Sequence, residues 1–120
     1  MKIVDFQADA SGRSGKASPR LESGDRVECN GVVFTGHAVQ RMFERQIHKD
    51  DLLDVLRSGE VIVTYPDDVP FPSYLVLGFV QRRPLHVVVA IDQTSGTCHI
   101  VTVYQPDASQ WGPDFKTRKP

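Results

Sequence analysis

The chain has 120 residues, 40% of them hydrophobic and 24% charged, with a formal net charge of −1. That length supports one domain with a sizeable core, and the near-neutral balance provides no global basic field for nucleic acid. Any anion site must therefore be local, made by a few placed cations. The two cysteines, Cys29 and Cys98, form no C-x-x-C pair and cannot build a disulfide framework, so they read as buried, unbridged thiols. No apolar run approaches the roughly 18 residues that a bilayer span needs. The start, "MKIVDFQADASGRSGK", is broken by Asp5 and Asp9 and does not read as a signal peptide, so the expected location is the cytoplasm, without membrane contact.

Residues 1–24 read as a flexible arm, because the stretch "ADASGRSGKASPRLESG" is rich in Ser, Gly and Ala and has little to bury. Its first residues, "MKIVDF", are either a short edge strand or a disordered start. Residues 25–120 read as a single α+β domain. In "RVECNGVVFT" two β-like runs flank Asn30-Gly31, which predicts a small hairpin, since both central residues of a type I′ turn need positive φ. A first helix is expected over residues 36–46, with Thr35 as N-cap and Ala38, Val39, Met42 and Phe43 as its core face. A second follows over residues 49–58. Asp50 and Asp51 favour its dipole, Leu52, Leu53, Val55 and Leu56 form its apolar face, and Gly59 stops it.

The periodicity then changes to strands: "EVIVTY" (60–65), "SYLVLGFV" (73–80), "LHVVVAID" (85–92) and "TCHIVTVY" (97–104). Residues 81–84 and a Gly96-containing loop supply the hairpin connections, and the doubly apolar "HVVVAI" should be central. Trp111 and Phe115 in the tail are apolar anchors. The predicted order is a small N-terminal hairpin, two helices, then a four-stranded, mostly antiparallel sheet with one face open for a site.

The stretch "TGHAVQRMFERQI" sets His37, Arg41 and Arg45 at two four-residue steps, hence on one stripe of a helix. Arginine forks suit phosphate or carboxylate, and an imidazole moves a proton near neutrality. Either the stripe is a solvated face paired with Glu44, Asp50, Asp51 or Asp54, or it awaits an anion. His86 interrupts an apolar strand and is either a hydrogen-bonded structural residue or a proton-transfer group. Cys98 and His99 are strand neighbours that face opposite ways and cannot share an ion. Four scattered histidines and two distant cysteines have no metal-ligand spacing, so neither a metal nor a cofactor is expected. Thr102 and Tyr104 read as pointing to one sheet face together with Ile100, and Tyr65 and Tyr74 are similar hydroxyl candidates. The chain has no Gly-rich phosphate loop, G-x-S-x-G elbow or H-E-x-x-H motif.

The segments "HAVQRMFERQI", "DDLLDVLRSGEVIVTYPDD", "PSYLVLGF", "PLHVVVAID" and "HIVTVY" together resemble a widespread bacterial family described as a domain of unknown function. Its pattern is H-A-x-x-R-M-x-x-R-x-I, a second helix ending in L-x-x-G-E, and a later L-H-V-V strand. The resemblance covers about residues 32–104, and the tail "W…FK.R" fits as well. Helices followed by an antiparallel sheet also resemble the RelE-like, barnase-and-colicin group of metal-free ribonucleases and toxins, whose strongly basic balance this chain lacks.

That resemblance implies a metal-independent endoribonuclease of toxin type, with RNA as substrate and a cognate antitoxin protein as partner. Its catalytic set would be His37, Arg41, Arg45, His86, Thr102 and Tyr104. The arginines would hold the phosphate, and the two histidines would act as base and acid on either side of it. The alternative is a non-catalytic module that binds an anion or a partner on the same fold. A third reading is a small interaction protein whose cations pair with its own acids.

Overall fold

The computed structural model describes residues 2–5 and 21–120. The arm expected over residues 1–24 therefore lies mostly outside the described residues. In chain order the elements are β1 (Lys2–Asp5), β2 (Gly31–Phe34), α1 (Gly36–Glu44), α2 (Lys49–Ser58), β3 (Glu60–Tyr65), β4 (Ser73–Val80), β5 (Arg83–Asp92) and β6 (Thr97–Tyr104). The strands form one six-stranded sheet in the order β1-β2-β6-β5-β4-β3. Neighbours are antiparallel except β2 and β6, which run parallel, with both helices and strands β3–β5 between them in sequence. The class is α+β, but the sheet is larger than the expected four strands, because β2 and β1 join it beyond β6.

The hairpin predicted at Asn30-Gly31 is absent. Neither residue has a positive φ, and Gly31 instead opens β2. Asn30 turns its polarity onto the β5–β6 turn: its backbone N–H donates to Gly96 O at 2.9 Å and its Nδ2 to Ser95 O at 2.8 Å. A tertiary anchor has taken the place of local turn chemistry. The segment before it is tied to β3, with Gly24 N–H donating to Val61 O and Val61 N–H to Asp25 O.

That path also corrects the expectation for the cysteines. Once β2 lies parallel to β6, with Gly31 opposite Thr97, Cys29 comes beside Cys98. The two form a disulfide with Cα atoms 5.5 Å apart, buried within the core. Two cysteines 69 residues apart give no local sign of this.

Thr35 caps α1 as expected. Its Oγ1 accepts from Ala38 N–H at 3.1 Å and also donates to Ile100 O at 2.8 Å, which fixes the helix start to β6. The helix ends at Glu44 rather than residue 46, because Gln46 takes a φ of 55° and Ile47 N–H folds back to Met42 O. Arg83 then secures this end from β5, donating to Arg45 O at 2.9 Å. Only Ala38 and Met42 reach the core; Val39 is 52% and Phe43 86% exposed, contrary to the predicted four-residue apolar face. A helix this short, resting on the sheet through Ala38 and Met42, turns residues one step further round into solvent.

α2 has the expected bounds, and all four of its predicted apolar residues are buried. Gly59 after it is extended, at φ −78°, so its role is close approach rather than left-handed backbone. A Cβ there would lie 2.5 Å from Val55 O and 2.6 Å from Leu77 O. β5 starts at Arg83 because Gln81 and Arg82 both adopt positive φ and close a two-residue turn.

Both helices pack on the same sheet face, against Val76, Leu85, Val87, Val89, Ile91, Ile100 and Val103. Strand alternation puts Leu75, Leu77, His86, Val88, Ala90, Thr102 and Tyr104 on the other face. A bulge in β6 changes the phase there: Val88 opposes Thr102 but Val89 opposes Ile100, leaving Val101 unmatched. Ile100 therefore points to the helices while Thr102 and Tyr104 point away, so the three do not share a face as expected.

Candidate functional site

The six candidate residues fall into two groups on opposite sides of the sheet. His37, Arg41 and Arg45 lie along one flank of α1, on the helix side, with His37 and Arg45 exposed and Arg41 half-buried. His86, Thr102 and Tyr104 lie on the open face. The sheet separates the two histidines, so they do not flank a common phosphate.

On α1, Arg41 organises the flank. Its Nε donates to His37 Nε2 at 3.4 Å, and its Nη1 contacts Glu44 Oε1 at 2.8 Å. Gln40 Nε2 holds the other carboxylate oxygen of Glu44 at 3.1 Å. These two hydrogen bonds, from Arg41 first and then Gln40, hold the Glu44 carboxyl below its usual range. The acid expected only if the stripe were a solvated face is thus present at i+3, but it satisfies one edge of one guanidinium. Nη2 of Arg41 and the Arg45 side chain make no hydrogen bond or ion pair among the described residues, although the Arg45 charge also helps to lower the Glu44 carboxyl.

On the open face, His86 is fully buried. Its Nε2–H donates to Phe115 O at 2.8 Å, which leaves Nδ1 to accept from the Tyr104 hydroxyl at 3.2 Å. Trp111 meets the imidazole edge to face, with centroids 4.5 Å apart, and Phe115 packs edge-on against Phe79. Burial pulls the His86 pKa down against the opposing effect of the Phe115 carbonyl. Burial likewise raises the Tyr104 phenol, with Tyr65 adding to the rise. The ring is thus satisfied at both nitrogens and closed to solvent. Thr102 remains half-exposed beside this cluster.

His99 faces the same side and stacks on Phe71, with centroids 5.2 Å apart, while Cys98 points into the core. Among the described residues, no group of three or more His, Cys, Asp or Glu is placed to hold a metal ion. Nor is any helix there long and apolar enough to cross a membrane.

Sequence reasoning named Glu44 as a possible partner of the stripe but missed Gln40 and the Phe115 carbonyl. The Gln40–Glu44 pair was legible, since Glu44 lies at i+4 from Gln40 and at i+3 from Arg41. The Phe115 carbonyl was not legible, because a main-chain acceptor on a distant tail has no sequence signature.

Residues 34–105 match the family described as a domain of unknown function, DUF4258. The chain belongs to that family. No curated protein and no solved structure matches it. The DUF4258 match runs from the last residue of β2 to the residue after β6, and so takes in both groups of candidate residues. The tail that covers His86 begins where the match ends.

Proposed function

We propose that this DUF4258 protein binds phosphate-bearing ligands, with the RNA backbone as the ligand class, on the His37–Arg41–Arg45 flank of α1. The observation that carries this reading is the set of two guanidiniums and one imidazole on a single accessible flank, with only one guanidinium edge met by an acid. One guanidinium with an open edge and a second outside any ion pair, at that spacing, suit the oxygens of a phosphodiester. The near-zero net charge favours a local site over broad electrostatic adhesion.

A second reading, a metal-independent endoribonuclease of toxin type, is favoured by the exposure of His37 beside Arg41, on the flank that also carries Arg45. With His86 committed to the opposite face, His37 would act alone. It would take the 2′-hydroxyl proton as that oxygen attacks phosphorus, then return the proton to the departing 5′-oxygen, leaving a 2′,3′-cyclic phosphate and a free 5′-hydroxyl. The strand, two helices and antiparallel meander support the RelE-like likeness that suggests this chemistry, although fold analogy alone does not assign it.

The deciding experiment measures binding and cleavage of a labelled mixed-sequence RNA in excess EDTA by wild type, His37→Ala, Arg41→Ala and Arg45→Ala. Binding should weaken with salt, and each arginine variant should reduce the salt slope by about 1. Wild-type affinity in both arginine variants would sink the site. Cleavage that disappears in His37→Ala with binding retained would establish the enzyme. Binding without cleavage would leave the module.

A further inference from the structure

After β6 the chain doubles back across the open face of the sheet. Trp111 is buried there and forms an isolated antiparallel bridge with Arg118. Gly112 N–H donates to Thr117 O and Lys119 N–H to Gln110 O, so residues 110–119 form a small closed loop of their own. Four contacts tie this loop to the sheet: the His86 Nε2–H bond to Phe115 O, the edge-to-face packing of Trp111 on His86 and of Phe115 on Phe79, and the ion pair of Lys116 with Glu60 at 2.7 Å. The ion pair is solvent-exposed and adds little. The hydrogen bond is the buried one, and its donor is a histidine, a side chain that can take a proton but whose pKa burial here lowers from its ordinary value.

We propose that residues 106–120 act as a proton-released strap: neutral His86 latches them over the open sheet face, and a proton on that ring frees them. The geometry supplies the mechanism. In the neutral ring Nε2 carries the hydrogen that Phe115 O accepts, and Nδ1 accepts from Tyr104. A proton added at Nδ1 makes it a donor, so the Tyr104 hydroxyl must turn and leave its own hydrogen without the partner it had. It also sets a cation in a site with no acid to meet it. Leu77 faces His86 from β4 and Tyr104 from β6, and the tail contributes Trp111 and the Phe115 carbonyl. Of the charged groups nearby, Arg118 lies over Trp111 at 5.4 Å and is itself a cation, and Lys116 is paired with Glu60. Tyr65 of β3 acts on Tyr104. No carboxylate contacts His86 among the described residues.

The sign follows from the burial of His86. Its folded pKa lies below the ordinary histidine value, so the docked state binds fewer protons than the released one. The latch is complete above about pH 6.5 and weakens as the pH falls below that value, until the docked ring itself protonates. Release bares the imidazole, the Tyr104 phenol and the surface of Leu77 together. It is a local opening that leaves the helix-side core intact.

Trp111, the single tryptophan of the chain, reports on the strap directly. Emission wavelength and acrylamide quenching should be followed from pH 8 to 5 on the full chain, with far-UV circular dichroism in parallel. Wild type should show a shift to longer wavelength and stronger quenching below about pH 6.5 while the dichroism holds. His86→Gln keeps one donor and one acceptor but takes no proton, so its signal should stay flat across the range. A pH response in His86→Gln equal to that of wild type would overturn the latch. So would a wild-type emission that never moves, or one that moves only as the dichroism collapses.

Discussion

Two glycines illustrate how little residue type says without surroundings. Gly36 opens α1 with no heavy atom within 4 Å of a virtual Cβ, whereas Gly59 ends α2 pressed between Val55 O and Leu77 O. Gly59→Ala should therefore destabilise the fold by about 1–3 kcal/mol, the usual cost of overpacking, since the obstructing atoms are backbone and cannot rotate away. Gly36→Ala should change stability by less than about 1 kcal/mol, in the stabilising direction, by narrowing the unfolded ensemble. Urea unfolding of the two variants beside wild type checks both, and equal midpoints would show that the close approach at Gly59 is not real. At this scale the sequence names candidate residues but does not show which way they point. Ile100, Thr102 and Tyr104 look like one alternating row until the single extra residue at Val101 turns Ile100 to the opposite face, and a bulge has no signature in a run of β-formers.

The elements themselves were legible because their signals are local. α2 carries acids in its first turn, four apolar residues on one face and a glycine stop, and its bounds were read correctly. α1 was legible at its start and not at its face, because Thr35 announces a cap while burial of Val39 and Phe43 depends on what the sheet offers them. The capping role of Thr35 extends to tertiary structure, since one hydroxyl accepts from the helix and donates to β6. Thr35→Ala removes both side-chain bonds and leaves Ile100 O with the longer bond from the Thr35 N–H at 3.3 Å, so a loss of about 1–2 kcal/mol is expected. Thr35→Ser keeps the oxygen and should recover most of it. Chemical denaturation of the pair decides the matter: if Ser and Ala are equally destabilised, the methyl group and not the hydroxyl is what β6 requires. The flank bearing His37, Arg41 and Arg45 starts from this cap, so under the proposed function Thr35→Ala should also weaken binding of RNA.

Across the whole molecule, what the sequence concealed is long-range pairing. The β3–β6 meander follows chain order and was read nearly to the residue, but β2 joins β6 across both helices, and no local pattern announces a parallel partner some sixty residues away. The same crossing is what brings Cys29 to Cys98, so the disulfide and the parallel pair are two views of one topological event. Closing a segment of 69 residues restricts the unfolded chain far more than the folded one. Its removal should lower stability by about 2–4 kcal/mol. The measurement compares urea midpoints of the oxidised protein, the protein reduced under denaturing conditions and refolded in reductant, and a Cys29→Ala, Cys98→Ala double variant, with a thiol count on denatured protein as control. The reduced and double-variant forms should unfold at lower, mutually similar midpoints, with the Ala pair slightly lower for its lost sulfur packing. Because the link joins the chain before β2 to the start of β6, its loss should loosen the β2–β6 seam before the β3–β5 hairpins, and amide exchange on Val32 and Val33 would rise ahead of that on Val87 and Val89. A thiol count of two on the denatured, unreduced protein, or midpoints that do not move, would mean that hydrogen bonds and the buried apolar residues hold β2 to β6 without the covalent link.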